Sequence, residues 1–94
     1  FMRREKEFSA YNFEHADTEI LGRHFADAER QCGSLLRLNP PLVLPAFEHC
    51  IKASHLFNML DARGVVSVTE RAAYIARVRA LAKSCCEAWV DSNA

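Results

Sequence analysis

The chain has 94 residues, of which 50% are hydrophobic and 26% are charged, so a single domain can bury its own core without a metal or a disulfide. Twelve basic and twelve acidic residues cancel, which excludes a strong overall field that would attract nucleic acid. No apolar run approaches the roughly 20 residues that a membrane span needs, so we expect no membrane contact.

The charges and the cysteines are unevenly placed along the chain. Five acids accompany Arg23 between Glu14 and Glu29, whereas six bases accompany two acids between Lys52 and Lys83. This asymmetry is typical of solvated helix faces, although it also fits a domain that orients towards RNA or towards an acidic surface. The four cysteines show no C-x-x-C spacing and no signal peptide precedes them, so we expect reduced thiols in a cytoplasmic protein.

The first third of the chain predicts a short helical segment and then a long helix. Residues 1–16 begin with charges and continue with aromatic rings, which indicates a short helix or a segment that lays its rings on the domain. These rings are Phe8, Tyr11 and Phe13. Asp17 or Thr18 can cap the next helix, because a side-chain oxygen there accepts a free backbone N–H. Apolar residues then recur in steps of four and three and predict a helix to about Leu38. These residues are Leu21, Phe25, Ala28, Cys32 and Leu35.

The prolines mark the clearest break in the chain. All three lie between Asn39 and Pro45, where a helix cannot continue, and Pro45 suits the first turn of a new helix. We expect this third helix from Pro45 to about Arg63, with Gly64 ending it in a left-handed conformation. Its apolar residues surround most of the helix. They are Phe47, Cys50, Ile51, Ala53, Leu56, Phe57, Met59 and Leu60. Such a helix is either sandwiched inside its domain or partly covered by another chain or domain.

A capping box opens the fourth helix. Ser67 and Glu70 have the spacing at which each side chain satisfies the other residue's backbone N–H, and the helix should run to about Val90. Its predicted buried face comprises Tyr74, Ile75, Val78, Leu81, Ala82, Cys85 and Trp89. Arg79 and Lys83 fall on the opposite face.

A charged contact is expected between the third and fourth helices. Arg71 lies at the edge of the predicted buried face, where an arginine usually has a carboxylate partner, and Asp61 or Glu70 is the candidate. Short connections make sequential helices antiparallel neighbours. We therefore predict an all-α fold, an antiparallel bundle of three long helices plus a short N-terminal helix, that forms one helical domain over residues 1–94.

The residue pattern contains no arrangement that is typical of an active site. The four histidines lack the H-E-x-x-H spacing of a zinc site, the cysteines fall on or near apolar faces, and the glycines are scattered. These histidines are His15, His24, His49 and His55. We therefore predict no catalytic, cofactor-binding or metal-binding residue in this chain.

Polar residues interrupt the apolar third helix. Ser54 and Asn58 are one turn apart, with His55 beside them and Arg63 beyond. They fit a satisfied core network with a cationic cap at the helix end, or a polar surface that binds a catalytic domain, a partner subunit or tRNA. The candidate partner or tRNA contacts are His55, Asn58, Arg63, Arg79 and Lys83.

Two long stretches resemble a known family. Residues 7–17 read EFSAYNFEHAD, and residues 52–71 read KASHLFNMLDARGVVSVTER, followed by YIARVR at 74–79. Both are similar to the C-terminal part of the alpha subunit of the heterotetrameric bacterial glycyl-tRNA synthetase. The resemblance extends over about residues 5–89 and includes the proline-rich break.

The resemblance implies a subunit of an enzyme with two alpha and two beta subunits that joins glycine to its tRNA using ATP. In that family a class II catalytic core, which binds ATP and glycine and is expected to use Mg²⁺, precedes this segment, while the beta subunit reads the anticodon. We therefore expect an inactive helical part whose partners are the beta subunit and the catalytic core, with glycine tRNA as a further candidate. The alternative is a free-standing helical interaction module.

Overall fold

The computed structural model describes residues 2–11, 14 and 16–93, and these residues form four helices and no strand. They are α1 (Met2–Ala10), α2 (Thr18–Leu36), α3 (Val43–Ala62) and α4 (Val68–Ser92). The all-α prediction, with three long helices and a short N-terminal one, is confirmed. In this part of the chain no helix combines the length and the apolar character needed to cross a membrane.

The helix α1 stands apart from the three long helices and contacts none of them. Within it, Arg3 Nε lies 3.2 Å from Glu7 Oε1, and the Arg4 guanidinium lies 5.6 Å from the centre of the Phe8 ring. The side chains of Phe8 and Tyr11 are 57% and 47% exposed. Of the two alternatives for this segment, the short helix is confirmed, and Phe8 on that helix and Tyr11 just after it do not cover the body of the domain. Phe13 lies outside the described residues.

Asp17 starts α2 as the sequence predicts. Its Oδ1 accepts hydrogen bonds from the backbone N–H groups of Glu19 at 3.0 Å and Ile20 at 3.1 Å. The helix ends at Leu36, two residues before the predicted end, and Arg37 donates its N–H to the carbonyls of the last turn. The proline pair that follows cannot continue the helix.

The start of α3 lies at Val43, two residues before the predicted one. Pro45 is the third helical residue, where its missing N–H costs nothing because the first-turn donors have no intrahelical acceptor. Gly64 ends the helix with a φ of 69°, the left-handed conformation predicted for it.

The capping box of α4 is confirmed in both directions. Glu70 donates its N–H to Ser67 Oγ at 3.1 Å, and Ser67 donates its N–H to Glu70 Oε1 at 3.1 Å. The helix runs to Ser92, slightly beyond the expected Val90.

The core has two neighbouring parts. In the first, the fully buried Phe25 meets Tyr74 edge-on with ring centres 4.8 Å apart, and Tyr74 stacks on Phe57 at 5.5 Å. The buried residues of this part are Ala16, Leu21, Phe25, Ala28, Ala53, Leu56, Phe57, Met59 and Leu60. The second part consists of Cys32, Ala46, Cys50 and Cys85, with leucines around them. Residues from α2, α3 and α4 contribute to this second part, so the three long helices share one core.

The contacts identify two ends of the bundle. At the first, which we call the Ala16 end, Arg63 after α3 donates to the carbonyl of Ala16 before α2, and Arg71 at the start of α4 pairs with Asp61 near the end of α3. At the second, the Val43 end, the first residues of α3 lie beside Trp89 near the end of α4. The chain enters α2 at the Ala16 end, where Ala16 donates its N–H to the carbonyl of Tyr11 at 2.8 Å.

Candidate interaction surface

The helix α4 is covered on one side only. It has 25 residues, yet Cys85 is its single buried one. The apolar residues that the sequence assigned to its buried face are half-buried up to Ala82, because α2 and α3 reach them from one direction only. The predicted buried face of α4 is therefore only partly covered.

An apolar stripe on α3 remains exposed. Leu44 is 63% exposed, Phe47 42% and Ile51 55%. These residues follow one another at steps of three and four, so they lie on one face of the helix. The alternative in which α3 is sandwiched entirely inside the domain is therefore wrong, and the uncovered part lies towards the Val43 end.

A groove lies between the start of α3 and the end of α4. Its volume is about 320 Å³, and its walls are Val43, Leu44, Phe47, Cys85, Cys86, Trp89 and Val90. We call it the Val43 groove. Trp89 is 49% exposed, so the prediction that it is buried in the core is wrong. The helical period correctly predicts that Trp89 lies on the side of α4 that faces α3. No other described element covers the two helices at the Val43 end, so the ring stays half-exposed.

The polar candidates on α3 continue the same stripe. His55 and Asn58 are exposed, and they follow Ile51 by four and seven residues. The interpretation of these two side chains as part of a satisfied core network is therefore wrong, since both face outwards. The open face of α3 is thus apolar near the Val43 end and polar towards the Ala16 end.

The basic candidates on α4 also lie on the same helix face as exposed apolar residues. Arg79 and Lys83 are exposed, as predicted, and they precede Cys86 and Val90 by seven residues, which puts each pair on one face of the helix. Lys83 Nζ lies 3.9 Å from Glu87 Oε1, whereas Arg79 takes part in no ion pair among the described residues.

The remaining candidates hold the Ala16 end together. Arg63 is half-buried and donates to the Ala16 carbonyl, so its guanidinium is engaged within the domain. Arg71 donates from Nε to Asp61 Oδ1 at 2.9 Å, and its Nη2 lies 2.8 Å from the same oxygen. Glu70, the other partner considered for Arg71, serves the capping box.

An ion pair between α2 and α4 was not predicted from the sequence. Arg77 donates from Nε and Nη2 to the two carboxylate oxygens of Glu29, at 2.9 and 2.6 Å. Its guanidinium also lies 4.7 Å from the ring centre of Phe25 and 5.2 Å from that of Tyr74. The hydrogen bond from Arg77 lowers the pKa of Glu29 below its ordinary value, and the same bond raises the pKa of Arg77. The sequence did contain an indication that Arg77 has a partner within the bundle. Arg77 follows Tyr74 by three residues and so lies beside the predicted buried face of α4.

The Glu29–Arg77 pair should make stability depend on pH in the acid range. Because the folded-state pKa of Glu29 is lowered, its contribution is present above the ordinary value of 4.5 and is lost as the pH falls through the folded value. The side chains are 31% and 42% exposed, so we expect Glu29→Gln to lower the free energy of unfolding at pH 7 by only about 0.5 to 1 kcal/mol. Urea unfolding at pH 7 and pH 3 tests this. The difference should be smaller at pH 3 than at pH 7, because Glu29 begins to be protonated in this range. Glu7→Gln should change nothing, and an equal difference at both pH values would contradict a stabilising charge on Glu29.

The cysteines behave mainly as small apolar residues. Cys32 and Cys85 are buried with their sulfurs 3.7 Å apart, and burial raises the pKa of Cys32 to about 12. Burial likewise raises the pKa of Cys50, so neither thiol supplies a thiolate at neutral pH. Cys86 is exposed and lines the Val43 groove. Over residues 2–11, 14 and 16–93, no three side chains of His, Cys, Asp or Glu are grouped so that they could hold a metal ion.

The comparison with known families agrees with the resemblance seen in the sequence. The family model of the glycyl-tRNA synthetase alpha subunit matches residues 1–94. Members of this family are subunits of an aminoacyl-tRNA ligase that acts in translation. The match covers the whole chain, and the chain therefore belongs to the glycyl-tRNA synthetase alpha subunit family.

Proposed function

We propose that this chain is a non-catalytic helical domain that follows the class II catalytic core of the alpha subunit and docks against the catalytic core or the beta subunit. The complete enzyme joins glycine to its tRNA in the cytoplasm, and ATP, glycine and Mg²⁺ bind to the core. Alpha subunits of this family assemble with beta subunits, so a docking surface has a natural partner. The domain's task is then to hold parts of the enzyme together.

The exposed apolar surface at the Val43 end carries this proposal. Five large apolar side chains lie open there, on two helices that share one side. They are Leu44, Phe47, Ile51, Trp89 and Val90, each between 42% and 64% exposed. Contiguous apolar surface of this kind is typical of a protein interface, whereas apolar residues that are scattered singly are ordinary.

Contact with glycine tRNA is the second candidate, and the exposed bases Arg79 and Lys83 support it. A phosphate-binding surface usually joins several bases, because each phosphate contact adds to the affinity. Here Lys83 already lies near Glu87, while Asp91 adds a further negative charge to the same helix. The apolar surface is the larger feature, so we favour protein contact.

A salt series distinguishes the two functions. The purified 94-residue chain is titrated with the beta subunit and, separately, with glycine tRNA from about 50 to 200 mM salt, the range in which phosphate contacts weaken steeply. Docking predicts an affinity for the beta subunit or for the separately prepared core that changes no more than a few-fold over this salt range and is retained by Arg79→Ala with Lys83→Ala. Steeply salt-dependent tRNA binding that this double variant weakens, with no protein binding, would overturn the proposal.

A further inference from the structure

We infer that the Val43 groove accepts a helix of the beta subunit whose apolar anchor side chain is flanked by lysine or arginine. This inference rests on the proposed docking function. It assigns the beta subunit as the partner and an apolar side chain flanked by basic residues as the part that binds. It depends on the shape of the groove, the charges at its edge and the position of α1.

The shape of the groove suits a single large apolar side chain with its neighbours. Its walls are apolar, and they combine the buried Cys85 with the half-exposed Phe47 and Trp89. The open stripe of α3 continues from Leu44 through Ile51, a distance of about 10 Å at 1.5 Å per residue. A helix laid along this stripe would place residues three and four positions apart against it.

The charges beside the groove are mainly acidic, because Lys83 is the one lysine or arginine within a helical turn of its lining residues along α3 and α4. Glu48 follows the groove residue Leu44 by one helical turn, and Glu87 and Asp91 share a surface with Cys86 and Val90. Neither Glu48 nor Asp91 takes part in an ion pair among the described residues, and Lys83 approaches Glu87 only at 3.9 Å. The C-terminal end of α4 adds its own partial negative charge. A partner with basic residues around its anchor complements this edge.

The position of α1 favours a separate chain as the partner. Residues that precede α2 reach the bundle at the Ala16 end, whereas the groove lies at the Val43 end. Since α3 has 20 residues, about 30 Å separate the two ends. The segment that leads into the domain therefore reaches the bundle far from the groove, which fits a partner on a separate chain such as the beta subunit.

Association kinetics test the inference. We expect Glu48→Gln with Asp91→Asn to slow association with the beta subunit about threefold or more at low salt and to leave dissociation nearly unchanged, because rim charges act mainly on encounter. The matched control, Glu5→Gln with Glu19→Gln, removes the same charge outside the groove and should have no such effect. Dissociation should instead accelerate in Phe47→Ala.

The outcomes separate this inference from the docking function. If Phe47→Ala weakens binding to the beta subunit while the acidic pair has no effect or accelerates association, the basic partner is excluded and docking stands. If the chain binds the catalytic core through the groove and not the beta subunit, docking stands and the assigned partner is wrong. If Phe47→Ala changes binding to neither protein, both the inference and the docking function fail.

Discussion

Replacing Phe25 with alanine should lower the free energy of unfolding by about 3 to 5 kcal/mol, the range typical of buried aromatic residues. Phe25 is completely buried, its ring meets Tyr74 edge-on, and the guanidinium of Arg77 lies over it. The substitution leaves a cavity at the point where α2 contacts α4 and also removes the surface that supports the Glu29–Arg77 pair. The free energy of unfolding of a small domain is only about 5 to 15 kcal/mol, so this substitution removes a large part of the stability.

Urea unfolding followed by circular dichroism measures this effect. Ile20→Ala is the matched control, because Ile20 lies on the same helix but is 39% exposed, and we expect a loss of about 1 kcal/mol or less. A loss below about 1 kcal/mol for Phe25→Ala would mean that α2 and α4 do not share the core described above.

The second large effect concerns binding. Phe47→Ala combined with Trp89→Ala should weaken the complex with the partner subunit about thirtyfold or more, as expected when aromatic anchors at the centre of an interface are truncated. Both side chains are about half exposed in this chain, so the double variant should remain folded. The affinity is measured by calorimetry against the beta subunit, with circular dichroism as the folding check.

Val65→Ala with Val68→Ala serves as the control for this variant. These valines are 48% and 80% exposed, but they lie at the Ala16 end, outside the groove. Equal weakening by both double variants would contradict a groove-specific interface. Unchanged affinity in the Phe47 and Trp89 variant would remove the groove from the interface.

Local signals in the sequence predicted most of the fold. The Asp17 cap, the Ser67–Glu70 capping box and the left-handed Gly64 each involve residues within a few positions of one another, so their geometry follows from the sequence alone. The start of α3 was placed two residues late, because a proline is accepted at any position of the first turn.

The surface was less predictable, because burial depends on which element covers a residue. The helical period placed Trp89 on the side of α4 that faces α3, but it could not show that the groove stays open at that end. The same limitation applies to Phe8 and Tyr11, which remain exposed although packing on the bundle was one of the two alternatives for their segment. The Glu29–Arg77 pair joins residues 48 positions apart and follows only from the packing of α2 against α4.

Docking through the Val43 groove is tested most directly at Trp89, the only tryptophan of the chain. The chain is labelled with 5-fluorotryptophan, and its single ¹⁹F resonance is followed while the unlabelled beta subunit is added. Docking through the Val43 groove predicts that the resonance shifts at saturation and loses its response to replacing H₂O with D₂O, because the half-exposed ring becomes buried. A bound complex in which the resonance and its solvent response stay unchanged would contradict the claim.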